Sequence, residues 1–426
     1  MVVEERVSPM SEQDGTQATA LQPLTTADPE AWQVYWEAQG QPWRTEPEID
    51  AERQKYLAEH RNISPNIEQG IYPFKDIRLA RADVEWLLAC HYKEHGSLEH
   101  RIGAHARGLD LRGADLRSIN LSRLPLHQLR GGLGSNEWRT SSEEQREAAA
   151  IHLERASLDR ADLQWASLRF GHLEGADLRY AHLEGATLRA THLVGNNVDS
   201  PPADLRYALF DQETVLEGII LGSEQYGSAY LADVRWSGVN LAVVNWKQVK
   251  TLGDEHEARQ KRHDRKVKDR ARRLNEYEQA VRANRQLAIA LQSQGLNEYA
   301  ARFAYRAQLL QRIVLRRQRK LVSYLFSGFL DLIAGYGYRP GRTVLWYLSV
   351  IVGFAVAYFA FGHLPPFPDA LVFGLMSFHG RGFFPSLSSE TSLHNQVVEI
   401  AAIEAVVGLL IEISFIATFT QRYFGK

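Results

Sequence analysis

Cysteine is almost absent: Cys90 stands alone in 426 residues. A disulfide within the chain is therefore excluded, and a reducing setting suits the soluble part. An excess of one charge is missing too. Lys and Arg number 49 against 51 Asp and Glu, so any electrostatic role has to be regional. Residues 1–27 hold no apolar run; a disordered tail is expected there, with no signal peptide, leaving the soluble region in the cytosol. Nor does the chain carry a phosphate-cradling glycine loop, a metal-ligand spacing or a nucleophile motif. No enzyme, no cofactor and no metal site is expected. The mean hydropathy of −0.32 is that of a soluble protein, yet the apolar residues crowd toward the C-terminus.

What is present falls into regions. Residues 28–100 are rich in large rings (Trp32, Tyr35, Trp36, Trp43, Tyr72, Phe74 and Trp86), too many for a solvated tail. A small folded cap is expected, helical over 81–91, where Val84, Leu87 and Leu88 recur at helical spacing. Next comes a period of five. Leucine falls at 153, 158, 163, 168, 173, 178, 183, 188 and 193 without a miss. A small residue precedes it by two at Ala156, Ala161, Ala166, Gly171, Ala176, Ala181 and Ala186. The pattern starts around Leu111, Leu116, Leu121 and Leu126, is interrupted over 131–150 by an expected inserted loop or helix, and continues loosely through Leu216, Leu221, Leu231, Trp236 and Leu241.

Neither a helix nor a strand repeats every five residues, whereas a chain turning a right-angled corner every five does. Over about 104–246 the chain closely resembles the pentapeptide-repeat family. The resemblance implies a right-handed quadrilateral β-helix over 101–250, four repeats to each coil of about twenty residues, with the leucine and the preceding small residue pointing inward. Stacked coils at the strand spacing of ~4.8 Å would bury one continuous core, and a cap on its open end would cover that core. Solenoids are scaffolds and binding surfaces, so the fold alone names no activity.

Twenty residues per coil places His152, His172 and His192 above one another on an outer face. Either outward positions simply accept polar residues, or the three imidazoles form a pH-sensing ladder whose members resist joint protonation. Some pentapeptide-repeat proteins mimic DNA. Here residues 101–246 hold 15 Arg against 19 Asp and Glu, with the signs alternating along Glu154, Arg169, Glu174, Arg179, Glu184 and Arg189, so DNA mimicry is not expected.

Residues 254–320 read as a basic cytosolic helical hairpin around Gly295, with 18 basic and 7 acidic residues over 255–320. Nucleic acid is one reading of such charge. The favoured one is positional, since a membrane span follows: basic residues hold this part in the cytosol and meet anionic lipid head groups. Residues 321–341 are expected as an interfacial slide helix and turn, with Tyr324, Phe326, Phe329, Leu330 and Ile333 toward lipid. Residues 343–362 and 397–420 have the length and apolarity of transmembrane helices. Arg339 and Arg342 before the first, and Arg422 and Lys426 after the second, place both termini in the cytoplasm of a multi-pass cell-membrane protein.

Between those spans, 368–378 is apolar but too short to cross, and Gly380 and Gly382 follow. The layout over about 342–424 resembles the two-transmembrane potassium-channel pore family. That resemblance implies an all-α pore domain with a re-entrant pore helix at 368–378, a filter-like segment at 377–385 formed by Ser377, Phe378, His379, Gly380, Arg381 and Gly382, and a homotetramer. The family's threonine, valine, tyrosine and aspartate signature is replaced. His379 and Arg381 either make the outer mouth positive, or Arg381 points behind the filter and clamps a neighbour. Gly335-Tyr336-Gly337 precedes the first span and reads as a turn. On the second span Glu404, Gly408 and Glu412 share one stripe. Gly408 matches the family's inner-helix hinge, Glu412 a cavity-lining acid, and Glu404 either a hydrogen bond to the pore helix or a pore acid.

The expected function is thus a tetrameric, bacterial-type ion channel, cation favoured, in contact with membrane lipids. Its cytosolic solenoid would gate the pore or bind an unidentified protein, and nucleic acid is not an expected partner. The competing reading is a non-conducting, membrane-anchored pentapeptide-repeat scaffold.

Overall fold

The computed structural model describes residues 28–95, 108–195, 201–225, 227–263, 266–361, 367–380 and 396–423. The tail expected at 1–27 lies outside them. In chain order the helices are α1 (Pro29–Ala38), α2 (Ala51–Arg61), α3 (Arg81–His95), α4 (Ser135–Thr140), α5 (Glu143–Ala148), α6 (Gly253–Arg259), α7 (Arg270–Ser293), α8 (Asn297–Arg317), α9 (Leu321–Ala334), α10 (Pro340–Phe361), α11 (Phe367–Phe378) and α12 (Gln396–Tyr423).

The five-residue period produces a four-sided β-helix. Over 152–192 each coil pairs in parallel with the next twenty residues on: His152 with His172 and His172 with His192, Ser157 with Asp177, Asp162 with His182, Ser167 with Thr187. Leu153 N–H donates to His172 O at 2.8 Å and Leu173 N–H to His192 O at 2.8 Å. Leucines 153 to 193 and the alanines before them are sealed in the core. Each corner needs one residue in the left-handed region: Arg155, Arg160, Trp165, Phe170, Gly175, Tyr180, Gly185 and Ala190, five apart, have φ between 54° and 72°. Side chains other than glycine accept that cost, roughly 1–2 kcal/mol each, because interchain-like backbone pairing and the leucine core over-determine the turn.

The 131–150 interruption folds as α4 and α5, and the coil resumes in register beyond it, with Asp115 pairing to His152 and Arg130 to Ser167. Sequence reading started the solenoid at 101, but the coil begins earlier. Asp76 N–H donates to Gly113 O, Leu79 N–H to Asp115 O, and Arg78 bridges to Asp115. Phe74 and Leu79, themselves five apart, join the leucine core. Helix α3 closes that end with Val84, Leu87 and Leu88, and its buried Glu85 accepts from the Thr45 and Glu46 amides.

The opposite end is closed by α7 and α8. Leu287, Leu291 and Phe303 belong to the same core as the solenoid leucines. Gln294 accepts from the Leu241 amide and donates to Val239 O, while Arg302 donates to the Trp246 and Val249 carbonyls. The helical hairpin expected over 254–320 is preceded by a non-helical stretch: α6 is followed by an antiparallel pairing of Arg262–His263 with Lys266–Val267. Lys268 is buried there on Glu276 at 2.8 Å, so part of the basic run serves packing.

Helix α9 leaves this cap with Leu321, Val322, Leu325, Phe326, Phe329 and Leu332 exposed. Ile333, expected toward lipid, is instead buried, because it packs where α9 turns into α10. Gly335, Tyr336 and Gly337 all have positive φ and form that turn. Asp331 joins three elements: Tyr305 of α8 donates to it at 3.0 Å, Arg312 of α8 at 2.8 Å, and Arg342 of α10 reaches its backbone carbonyl at 3.3 Å.

Candidate functional site

The C-terminal helices form a bundle in which short α11 sits against both α10 and α12. Its apolar composition, without a charge between Asp369 and Phe378, lets it bury in this position. Among the described residues, Gly341–Ala360 is the helix stretch long and apolar enough to cross a membrane by length and composition; α12 is interrupted by Glu399, Glu404 and Glu412. Outward faces of all three helices remain apolar, with Leu345, Leu348 and Val352 on α10, Val372 on α11, and Ile403, Val406 and Ile416 on α12 exposed.

The stripe of Glu404, Gly408 and Glu412 faces α11. Glu404 is fully buried and accepts from Tyr358 Oη of α10 at 2.6 Å. Its partner therefore comes from the first long helix, not from the short helix on which one of the two expected readings had put it. Gly408 lies under the end of α11, where an added Cβ would stand 2.2 Å from Phe378 O. Helix α12 continues unbroken through this position, so the glycine here serves close approach. Glu412 pairs with His379 Nδ1, whose Nε2 lies 3.1 Å from Tyr347 Oη.

Of the expected filter residues, Ser377 and Phe378 are the last residues of α11, not an extended segment, because their carbonyls still belong to the helix and its cap. Gly380 has φ +63° and its amide donates to Ser377 O at 2.9 Å, closing the helix. Arg381 and Gly382 lie outside the described residues. Sequence reading missed Tyr358 and Tyr347, whose only signal was a hydroxyl-bearing ring within an apolar span.

On the solenoid, His152, His172 and His192 form a column. The His152 and His172 rings stack at 5.0 Å and 4°, and His172 meets His192 at 5.0 Å and 64°. Helix α5 bends back so that Glu147 bonds His172 Nε2 at 3.0 Å. Burial disfavours the His172 cation, but Glu174 and Glu147 outweigh it and raise the imidazolium to about 9. His192, buried and facing His172, is pushed the other way.

Residues 153–195 match the family profile for pentapeptide repeats in eight copies. No curated protein matches the chain. Among solved structures, it is similar to HetL, a pentapeptide repeat protein involved in heterocyst differentiation regulation in the cyanobacterium Nostoc sp., at 30% identity over 31% of this chain and 48% of HetL, with a TM-score of 0.15. The chain thus spans about half the length of that protein. A thylakoid-lumen pentapeptide repeat protein of Arabidopsis thaliana is 21% identical over 32% of this chain and 85% of its own, TM-score 0.15. Rfr23 of the cyanobacterium Cyanothece is 25% identical over 30% and 82%, TM-score 0.10. With the matched repeats stacked twenty residues to a coil, this chain carries a pentapeptide-repeat β-helix.

Proposed function

We propose that the protein is a homotetrameric membrane channel, cation-conducting, whose pentapeptide-repeat solenoid is its cytosolic regulatory or partner-binding part. A pentapeptide-repeat domain by itself is consistent with a scaffold or interaction protein. One observation carries the finer reading: a helix too short to span ends with its last carbonyl on Gly408, and the chain leaves it at His379, against Glu412. That arrangement ends the short helix on an acidic stripe of the neighbouring long helix, and buried carboxylates in an apolar bundle normally serve a water-filled or ion path. The exposed apolar faces of the bundle are the surfaces that further copies and lipid would cover.

Motion of the solenoid would reach the bundle through packed elements rather than a tether. Helices α7 and α8 share the solenoid core, α8 grips Asp331 of α9, and Asp331 contacts the start of α10. Purified protein in planar bilayers under a KCl gradient, then with K⁺ exchanged for Na⁺, tests the proposal. Cation current reduced by Glu412→Gln supports it. Absence of current at every voltage and pH tried would leave the membrane-anchored scaffold as the function.

A further inference from the structure

The column of histidines is not uniform, and the difference points to a ligand. His172 Nδ1 lies 3.6 Å and His192 Nδ1 3.8 Å from the same atom, Glu174 Oε1. Both separations are too long for hydrogen bonds. They lie close to the edge of about 3.4 Å that two ligands 2.0–2.2 Å from a tetrahedral metal would span. One ligand atom from each of the three residues lies within 4.8 Å of the others. We infer that His172, Glu174 and His192 form a binding site for a first-row divalent transition metal, Zn²⁺ above all, bridging two successive coils of the solenoid.

Two further observations support the assignment. Glu147 Oε1 sits 3.0 Å from His172 Nε2, so that nitrogen donates outward, and a metal ion at Nδ1 would displace the proton otherwise shared with Glu174. A carboxylate behind a histidine in this way is the usual outer partner of a metal-bound imidazole. Phe170 packs against His192 with ring centroids 5.5 Å apart, and Trp138 of α4 covers Phe170, restricting water on that side. Two imidazoles and one carboxylate are a donor set for Zn²⁺, Co²⁺ or Ni²⁺ rather than Ca²⁺ or Mg²⁺. A fourth position stays open for water or for a side chain of a partner.

The same sequence motif supplies its own control. His182-Leu-Glu184 repeats the His-Leu-Glu of His172 and Glu174, and His182 Nδ1 lies 3.3 Å from Glu184 Oε1. Its neighbours along the column are Asp162 and Leu209, so among the described residues no second imidazole reaches Glu184. The motif alone does not make the site, which also needs a second imidazole within reach of the glutamate on the next coil.

Untagged full-length protein in detergent, titrated with Co²⁺ and then Zn²⁺, tests this. One Co²⁺ per chain with visible ligand-field absorption, displaced by Zn²⁺, is expected. Glu174→Gln should weaken binding at least tenfold and Glu147→Gln roughly tenfold, the double variant His172→Gln with His192→Gln should abolish it, and His182→Gln should leave it unchanged. All these side chains lie on the outer face, and far-ultraviolet circular dichroism verifies folding of each variant. Lack of stoichiometric Co²⁺ absorption in the unaltered protein, retention in the double variant, or equal loss in His182→Gln would overturn the assignment.

Discussion

Gly408→Ala is the most direct perturbation of the contact between the short helix and α12. The new methyl carbon would stand 2.2 Å from Phe378 O, 3.0 Å from its carbonyl carbon and 3.1 Å from its ring. A carbon–oxygen contact needs about 3.2 Å or more, so α11 and α12 must part by roughly 1 Å. The obstacle is backbone, which has no rotamer to offer, and overpacking of this kind costs about 1–3 kcal/mol. Against that, alanine is the better helix former by up to about 1 kcal/mol. A net destabilisation of ~1–2 kcal/mol is expected, and the chain leaving α11 would shift away from Glu412. Gly353→Ala on α10 is the matched control, since nothing lies within 4 Å of a Cβ there, leaving only the propensity gain. Thermal unfolding in detergent, followed by circular dichroism at one protein concentration, compares the two. Gly408→Ala should melt a few degrees below the unaltered protein and Gly353→Ala at or above it. Equal melting of the two alanine variants would refute the idea that Gly408 is required by close approach.

Asp254 is buried, accepts from the Leu231 amide at 2.7 Å, and is pushed up by burial to about 7. Its proton is held more tightly in the folded chain than in the unfolded one, so its contribution to stability is present below about pH 4 and lost as pH rises to about 7. The gap corresponds to on the order of 4 kcal/mol, and Asp254→Asn, which imitates the protonated acid, should stabilise at pH 8 and be near neutral at pH 4 in denaturant titrations. Leu163→Ala removes a side chain sealed in the solenoid and should cost about 2–5 kcal/mol, read as a lower urea midpoint. Glu276→Gln would strand the ammonium of Lys268, buried against it at 2.8 Å; a loss of about 3–5 kcal/mol is expected, largely rescued by adding Lys268→Met.

The solenoid was legible because its cause is local and repeated. A leucine every fifth residue has one way to reach a common interior, and the small residue two before it leaves room for the opposing wall. Phe74 and Leu79 obey the same spacing, but Val84, five further on, already belongs to α3, so the run is too short for a periodicity argument and reads as cap. The long apolar helices and the short one between them were legible from length and apolarity. The partners within them were not: Tyr358 on Glu404 and His379 on Glu412 join residues 46 and 33 apart in the chain.

The amino-acid sequence by itself determined the five-residue repeat, the interruption after residue 130 and the apolar C-terminal helices, since each follows from spacing or composition within a short window. Only the tertiary structure decided what lies across from what. It placed Glu147 of the interruption behind His172, made α7 and α8 the closing face of the solenoid, and set Phe378 on Gly408. Those contacts depend on how distant segments pack to bury their remaining apolar faces, and a one-dimensional pattern holds no record of that choice.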